Sequence, residues 1–263
     1  MTAAHETEFR QELDIFRKEI VEAIQCFYIF QTVHNIARND RRVYGILDKY
    51  ADFWNATLRA LQANSLIVLG RIFDRDSRSH NIGRLLQLAE THLQIFSKPA
   101  LKERKRKQST ISNEALDSFI RDTYVPSRRD LNRLRQYAEA HRRIYNSTYR
   151  DVRNKFFAHR DRTDVAGLVA KTSTRKLEKL LVFLNRLHQA LWNLFHNGLR
   201  PSLRPARYAA KRILEAPPSR QRNSSEQESI TRETDQFLKY LAASGTNPND
   251  QSNARPTQSR EPC

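Results

Sequence analysis

Residues 150–161 read Arg-Asp-Val-Arg-Asn-Lys-Phe-Phe-Ala-His-Arg-Asp. An Arg-Asn pair, four spacers and a His supply three groups suited to phosphate chemistry. Metal-independent cleavage of RNA needs a base for the 2′-hydroxyl, positive charge for the phosphorane and an acid for the 5′-oxygen. His159 suits the base or the acid, because imidazole titrates near neutrality. The guanidinium of Arg153 stays charged and offers phosphate oxygens a planar fork. Asn154 is placed to orient the phosphate or the imidazole. Lys155 and Arg160 flank these groups as further RNA contacts, and no carboxylate cluster accompanies them to hold Mg²⁺.

The same residues have a plainer reading. Val152, Phe156 and His159 continue the apolar stripe of a long helix, where a histidine also serves as a hydrogen-bonded core residue. Six residues of a straight helix turn through about 600° and rise about 9 Å, so His159 sits about 120° around from Arg153. One helix does not close a compact site.

The elements that must position these residues are helical. Six glycines in 263 residues leave few inexpensive positive-φ turns for hairpins. Phe9, Leu13, Phe16, Ile20, Ile24, Phe27 and Phe30 form the stripe of a first long helix that ends near Asn39-Asp40. A second pattern runs from Val43 through Leu58 to Phe73, stops at the polar turn Asp74–Ser79, and is expected to pair with the first as an antiparallel hairpin. Asn81 caps a third helix that Ser97-Lys98-Pro99 ends. Ser127-Arg128-Arg129-Asp130 is a capping box that opens the helix leading to His159. A fifth runs from about Arg175 to Asn197-Gly198. The expected fold is an all-α bundle of long antiparallel helices over residues 1–215. Residues 216–263 hold five of the nine prolines among Ser, Asn, Gln and Thr, and read as a disordered tail in which one short amphipathic piece, around Ile230, Phe237, Leu238 and Leu241, is expected to be a transient helix or to fold on a partner.

Charge points to a polyanionic partner. The chain carries a net +17, and its tail has six basic and six acidic residues, so the whole excess lies in residues 1–215. Lys102, Arg104, Lys105, Arg106 and Lys107 concentrate it, as a phosphate-binding patch or as a solvated connector. No apolar run approaches the roughly 20 residues that cross a bilayer, and the first residues do not form a signal peptide. Cys26 and Cys263 make no metal-ligand spacing. A cytoplasmic chain without metal or other cofactor is the expectation.

Arg153, Asn154 and His159, with the aromatic pair between them and long helices before them, resemble the signature of the HEPN superfamily (higher eukaryotes and prokaryotes nucleotide-binding). The layout over about residues 5–200 resembles the U-type abortive-infection branch. The resemblance implies a helical HEPN domain acting as an endoribonuclease effector of a toxin or phage-defence system, and possession of an antitoxin partner in some members. It also implies a homodimer in which the two motifs meet across a two-fold axis. HEPN toxins controlled by a nucleotidyltransferase-type antitoxin often carry Tyr two residues after the His. Here that position is Asp161, which does not support that control. A non-catalytic HEPN module binding RNA, a nucleotide or a protein is the alternative.

Overall fold

The computed structural model describes residues 2–76, 78–108, 112–154, 173–203, 210–215 and 225–244. Every regular element among them is helical. Helix α1 (Thr2–Asn39) is the spine, and it turns its apolar stripe of Phe9, Leu13, Phe16, Ile20, Ile24 and Phe27 fully inward. The chain then reverses at Asp40, whose carboxylate accepts a hydrogen bond from the Arg42 N–H and caps α2 (Arg41–Lys49). The expected single second helix is interrupted here: it breaks at Tyr50 (φ −117°, ψ 43°), and α3 (Ala51–Ile72) follows.

Helix α3 returns antiparallel to α1. Asn64 Nδ2 donates to Glu22 Oε1 at 2.8 Å, and two turns further along α3 Arg71 Nε donates to Glu19 Oε2 at 2.8 Å. The Asn81 side chain caps α4 (Ile82–Thr91) by accepting from Arg84 N at 3.0 Å, as expected from its position. A 3-10 turn, Leu93–Phe96, leads into α5 (Lys98–Gln108). Pro99 therefore sits in the first turn of a new helix, where its missing N–H costs nothing, besides ending the preceding one. Helix α6 (Asn113–Arg121), which the sequence reading did not include, is capped by Ser112 and buries Leu116 and Ile120 beside Leu101.

Ser127 and Asp130 form the expected capping box at the start of α7 (Arg128–Thr148). Helix α8 (Thr174–Asn197) is the most buried element, and it ends on Gly198 in the left-handed region (φ 59°). A Cβ there would also lie 2.6 Å from Thr123 Cβ, so both conformation and space call for glycine. Phe9, Phe96 and Phe195 meet at the centre of the core shared by α1, the 3-10 turn and α8.

One expectation needs correction. Residues 226–244 of the supposed disordered tail form α10 (Glu226–Ser244), preceded by the short α9 (Ala210–Glu215). Helix α10 packs on α1 and α2, where Leu238 and Ala242 complete a second apolar cluster with Val33, Ile36 and Val43. Arg17 ties its start to the body, donating to Asn185 Oδ1 at 2.9 Å and to Glu226 Oε1 at 2.8 Å. The segment's polar composition concealed the four-residue spacing of Thr234, Leu238 and Ala242, which face inward. Residues 216–224 and 245–263 lie outside the described residues.

Candidate functional site

Helix α7 ends one turn before the Arg-Asn pair. Tyr149 takes the C-cap position, residues 150–151 return to helix, and residues 152–154 form a wider π-type turn. The expected uninterrupted helix to His159 is thus modified at its functional end. Such wide turns recur at functional sites because they redirect side chains without ending the helix. Arg153 N–H donates to Tyr149 O at 2.9 Å, which holds the register through the change.

Two buried tyrosines brace this turn. Tyr145 stacks on Phe73 at 5.5 Å between ring centroids, and its hydroxyl donates to Leu66 O at 3.1 Å. The Tyr149 hydroxyl donates to the carbonyl of Ser173, the N-cap of α8. Burial pushes both phenols up to about 12, with the nearby guanidinium of Arg153 opposing the rise at Tyr145. Both stay neutral at physiological pH and serve as fixed hydrogen-bonding pillars.

Arg153 lies across α3 at Gly70. A Cβ built on Gly70 would fall 2.0 Å from Arg153 Nη1 and 2.9 Å from its Cδ, so only glycine lets the guanidinium pass this close to the helix. Asn154 Oδ1 accepts from Arg153 Nε at 2.9 Å and from Nη2 at 2.7 Å. The asparagine thereby orients the arginine, a role different from the phosphate or imidazole contact expected from the sequence. Among the described residues no carboxylate pairs with Arg153.

The guanidinium borders a polar cleft of about 210 Å³ lined by Gly70, Phe73, Asp74, Arg75, Tyr145, Asn146, Arg150 and Arg153. Three arginines face a single acid there. Asp74 Oδ1 is engaged by the N–H groups of Arg75 and Asp76, at 2.6 and 3.3 Å, in a local turn. Gly70, Arg75, Asn146 and Arg150 escaped the sequence reading. The available signal was a lone glycine inside an apolar helical pattern, which often marks a close approach.

The remaining candidates divide. Lys155, His159 and Arg160 lie outside the described residues. The basic run lies on α5, and Arg104 within it is turned inward. Its Nη1 donates to Ile95 O and pairs with Glu6, its Nη2 donates to Phe195 O, and its guanidinium covers the Phe195 ring at 4.1 Å. Burial lowers its pKa despite Glu6. Arg104 is therefore a core residue of this bundle and does not offer its charge to phosphate. Lys102 pairs with Asp117, and Lys105 donates to Asn197 Oδ1, while Arg106 and Lys107 are exposed. Helix α8 separates the two regions: Tyr149 meets it at Ser173 and Arg104 at Phe195, about 33 Å apart at 1.5 Å per residue. The α5 run and Arg153 do not share a cleft.

Among the described residues no group of three or more His, Cys, Asp or Glu is arranged to hold a metal ion, and no helix is long and apolar enough to cross a membrane. The Arg153-Asn154 pair thus stands just beyond a long helix of an all-helical bundle, the setting in which the sequence resemblance placed it. Residues 6–216 match the HEPN family model described as AbiU2, and the chain belongs to this family. Comparison with curated proteins and with solved structures gave no match. Helix α10 lies beyond the matched region.

Proposed function

We propose that the protein is a metal-independent endoribonuclease acting as an effector of an abortive-infection or toxin system. The observation that carries this reading is the guanidinium of Arg153, held by Asn154 over Gly70 at the border of a cleft rich in positive charge. Arg153 grips the scissile phosphate and stabilises charge that develops on it. His159, five residues beyond Asn154, acts as base or acid. The 2′-oxygen forms a bond to phosphorus as its proton leaves, the bond to the 5′-oxygen breaks, and that oxygen gains a proton. The products are a 2′,3′-cyclic phosphate and a 5′-hydroxyl.

The reading includes a second copy of the chain. The motif's spacing would set Arg153 and His159 about 120° apart on a straight helix, and a two-fold pair would supply the groups that one motif does not bring together. Cytoplasmic action on RNA, with control by a protein partner, completes it.

The test is an end-group assay on RNA incubated with purified protein in EDTA. Cleavage that leaves cyclic phosphate ends is expected. Cleavage lost on chelation and restored by Mg²⁺ contradicts the mechanism, and binding without cleavage makes the protein a non-catalytic RNA-binding module.

A further inference from the structure

Two arginines that the motif does not contain, Arg75 and Arg150, point into the question of how RNA is held. Arg150 stands three residues before Arg153, about 4.5 Å along the helix, and is exposed. Arg75 comes from the turn between α3 and α4. Its side chain is 76% exposed and pairs with the carboxylate of Glu139 at 3.7 Å. An exposed pair at that distance contributes little. Among the described residues no carboxylate pairs with Arg150.

The turn that carries Arg75 is built to present it. Asp74 Oδ1 accepts its N–H, so this acid fixes the backbone and does not form an ion pair with the Arg75 guanidinium. Behind it, buried Arg142 donates to Asp74 O at 3.2 Å and pairs with Glu139. The result is an ordered backbone carrying a side chain with no strong partner of its own.

The adjoining groove shows the contrast. It has a volume of about 560 Å³ and lies between α4 and α7, reached past the same Asp74-Arg75 turn. Apart from Arg75, which lines both clefts, its arginines are paired: Arg84 with Glu8 and Glu12, Arg135 with Glu90, Arg142 with Glu139. Only the Arg153 side adds Arg150 and Arg153, which have no carboxylate partner among the described residues, and that excess marks it as the anion site.

We infer that Arg75 and Arg150 join Arg153 in a phosphate cradle, binding backbone phosphates of single-stranded RNA next to the scissile one. The inference rests on the ribonucleolytic reading for the role of Arg153, but the cradle is a statement about binding. Arg75 and Arg150 contact non-reacting phosphates, so they contribute uniform binding, whereas Arg153 acts on the reacting group. Removing either should raise KM with little change in kcat.

The experiment uses full-length protein with Arg75→Gln, Arg150→Gln and the double variant, each checked for an unchanged melt. Arg59→Gln, an exposed α3 arginine outside the cleft, is the control. Titration of a labelled single-stranded RNA should show about tenfold weaker binding for each single variant, the scale of a charge-assisted contact. The salt dependence of log Kd should lose about 0.7 per removed contact. The control should match wild type. Unchanged affinity and slope in the double variant overturn the cradle, and so does wild-type protein that binds no RNA. Wild-type protein that binds but does not cleave, with Arg75 and Arg150 variants still weakened, leaves the cradle standing and removes the ribonuclease reading.

Discussion

At the scale of single residues, Gly70 and Arg153 form one device. Glycine inside α3 costs about 1 kcal/mol relative to alanine, and the approach of Arg153 Nη1 explains why it stands there. Gly70→Ala is expected to leave the melting temperature nearly unchanged, since helix propensity rises and the group displaced is the far end of a flexible side chain. RNA cleavage should fall at least about tenfold as Arg153 loses its position, a loss of about 1.4 kcal/mol in transition-state stabilisation. A fully active Gly70→Ala protein would show that the contact is incidental. His188 supplies an independent residue-scale prediction. It is 8% exposed on α8, and burial, with Arg17 and His196 nearby, pushes its pKa from the ordinary 6.5 down to about 4. Between those values the unfolded chain takes up a proton that the folded protein refuses. Stability therefore falls as pH drops from about 6.5 to about 4 and levels below, by roughly 3 kcal/mol from this group. Chemical denaturation at stepped pH should show a shallower acid slope for His188→Gln than for wild type, and identical slopes would contradict the assignment.

At the scale of elements, legibility followed periodicity. The stripe of α1, the Asn81 cap, the Ser127-Asp130 capping box and the Gly198 terminus were all readable, because each rests on local spacing or local hydrogen bonding. The break at Tyr50 was hidden by apolar residues that continue in phase on either side. The redirection after Tyr149 was hidden because the tyrosine pillars depend on Leu66 and Ser173, which are distant in sequence. Helix α10 was legible only as a short amphipathic piece, and its extent and docking were hidden because its buried face includes Gln227, Thr231 and Thr234, polar residues that read as tail. Its contribution is testable: truncation after Glu215 uncovers Val33, Ile36 and Val43 and should lower the melting temperature by several degrees. Leu238→Ala alone should cost about 2 to 4 kcal/mol, the usual range for a buried leucine. A truncated protein that melts like the full chain would show that α10 does not stabilise the body.

At the scale of the whole molecule, the net charge of +17 is distributed unequally in its availability. Arg104 and Arg142 are buried in ion pairs, and Lys102 is paired, whereas the cleft beside Arg153 keeps its arginines nearly free. The sequence disclosed the family motif and the excess charge, but which basic residues face solvent depended on packing. RNA affinity should accordingly fall steeply with added salt, and a flat response between low and physiological salt would make the basic surface incidental. The central claim is that Arg153 and His159 perform metal-independent cleavage, and the most direct measurement is the RNA cleavage rate in EDTA for wild type, Arg153→Ala and His159→Ala, each with its melting curve. The account predicts cleavage by wild type, loss of at least about a hundredfold in each variant, the scale of a general acid-base or electrostatic group, and folded proteins throughout. Variants that melt earlier yet cleave at the wild-type rate per folded molecule would contradict it.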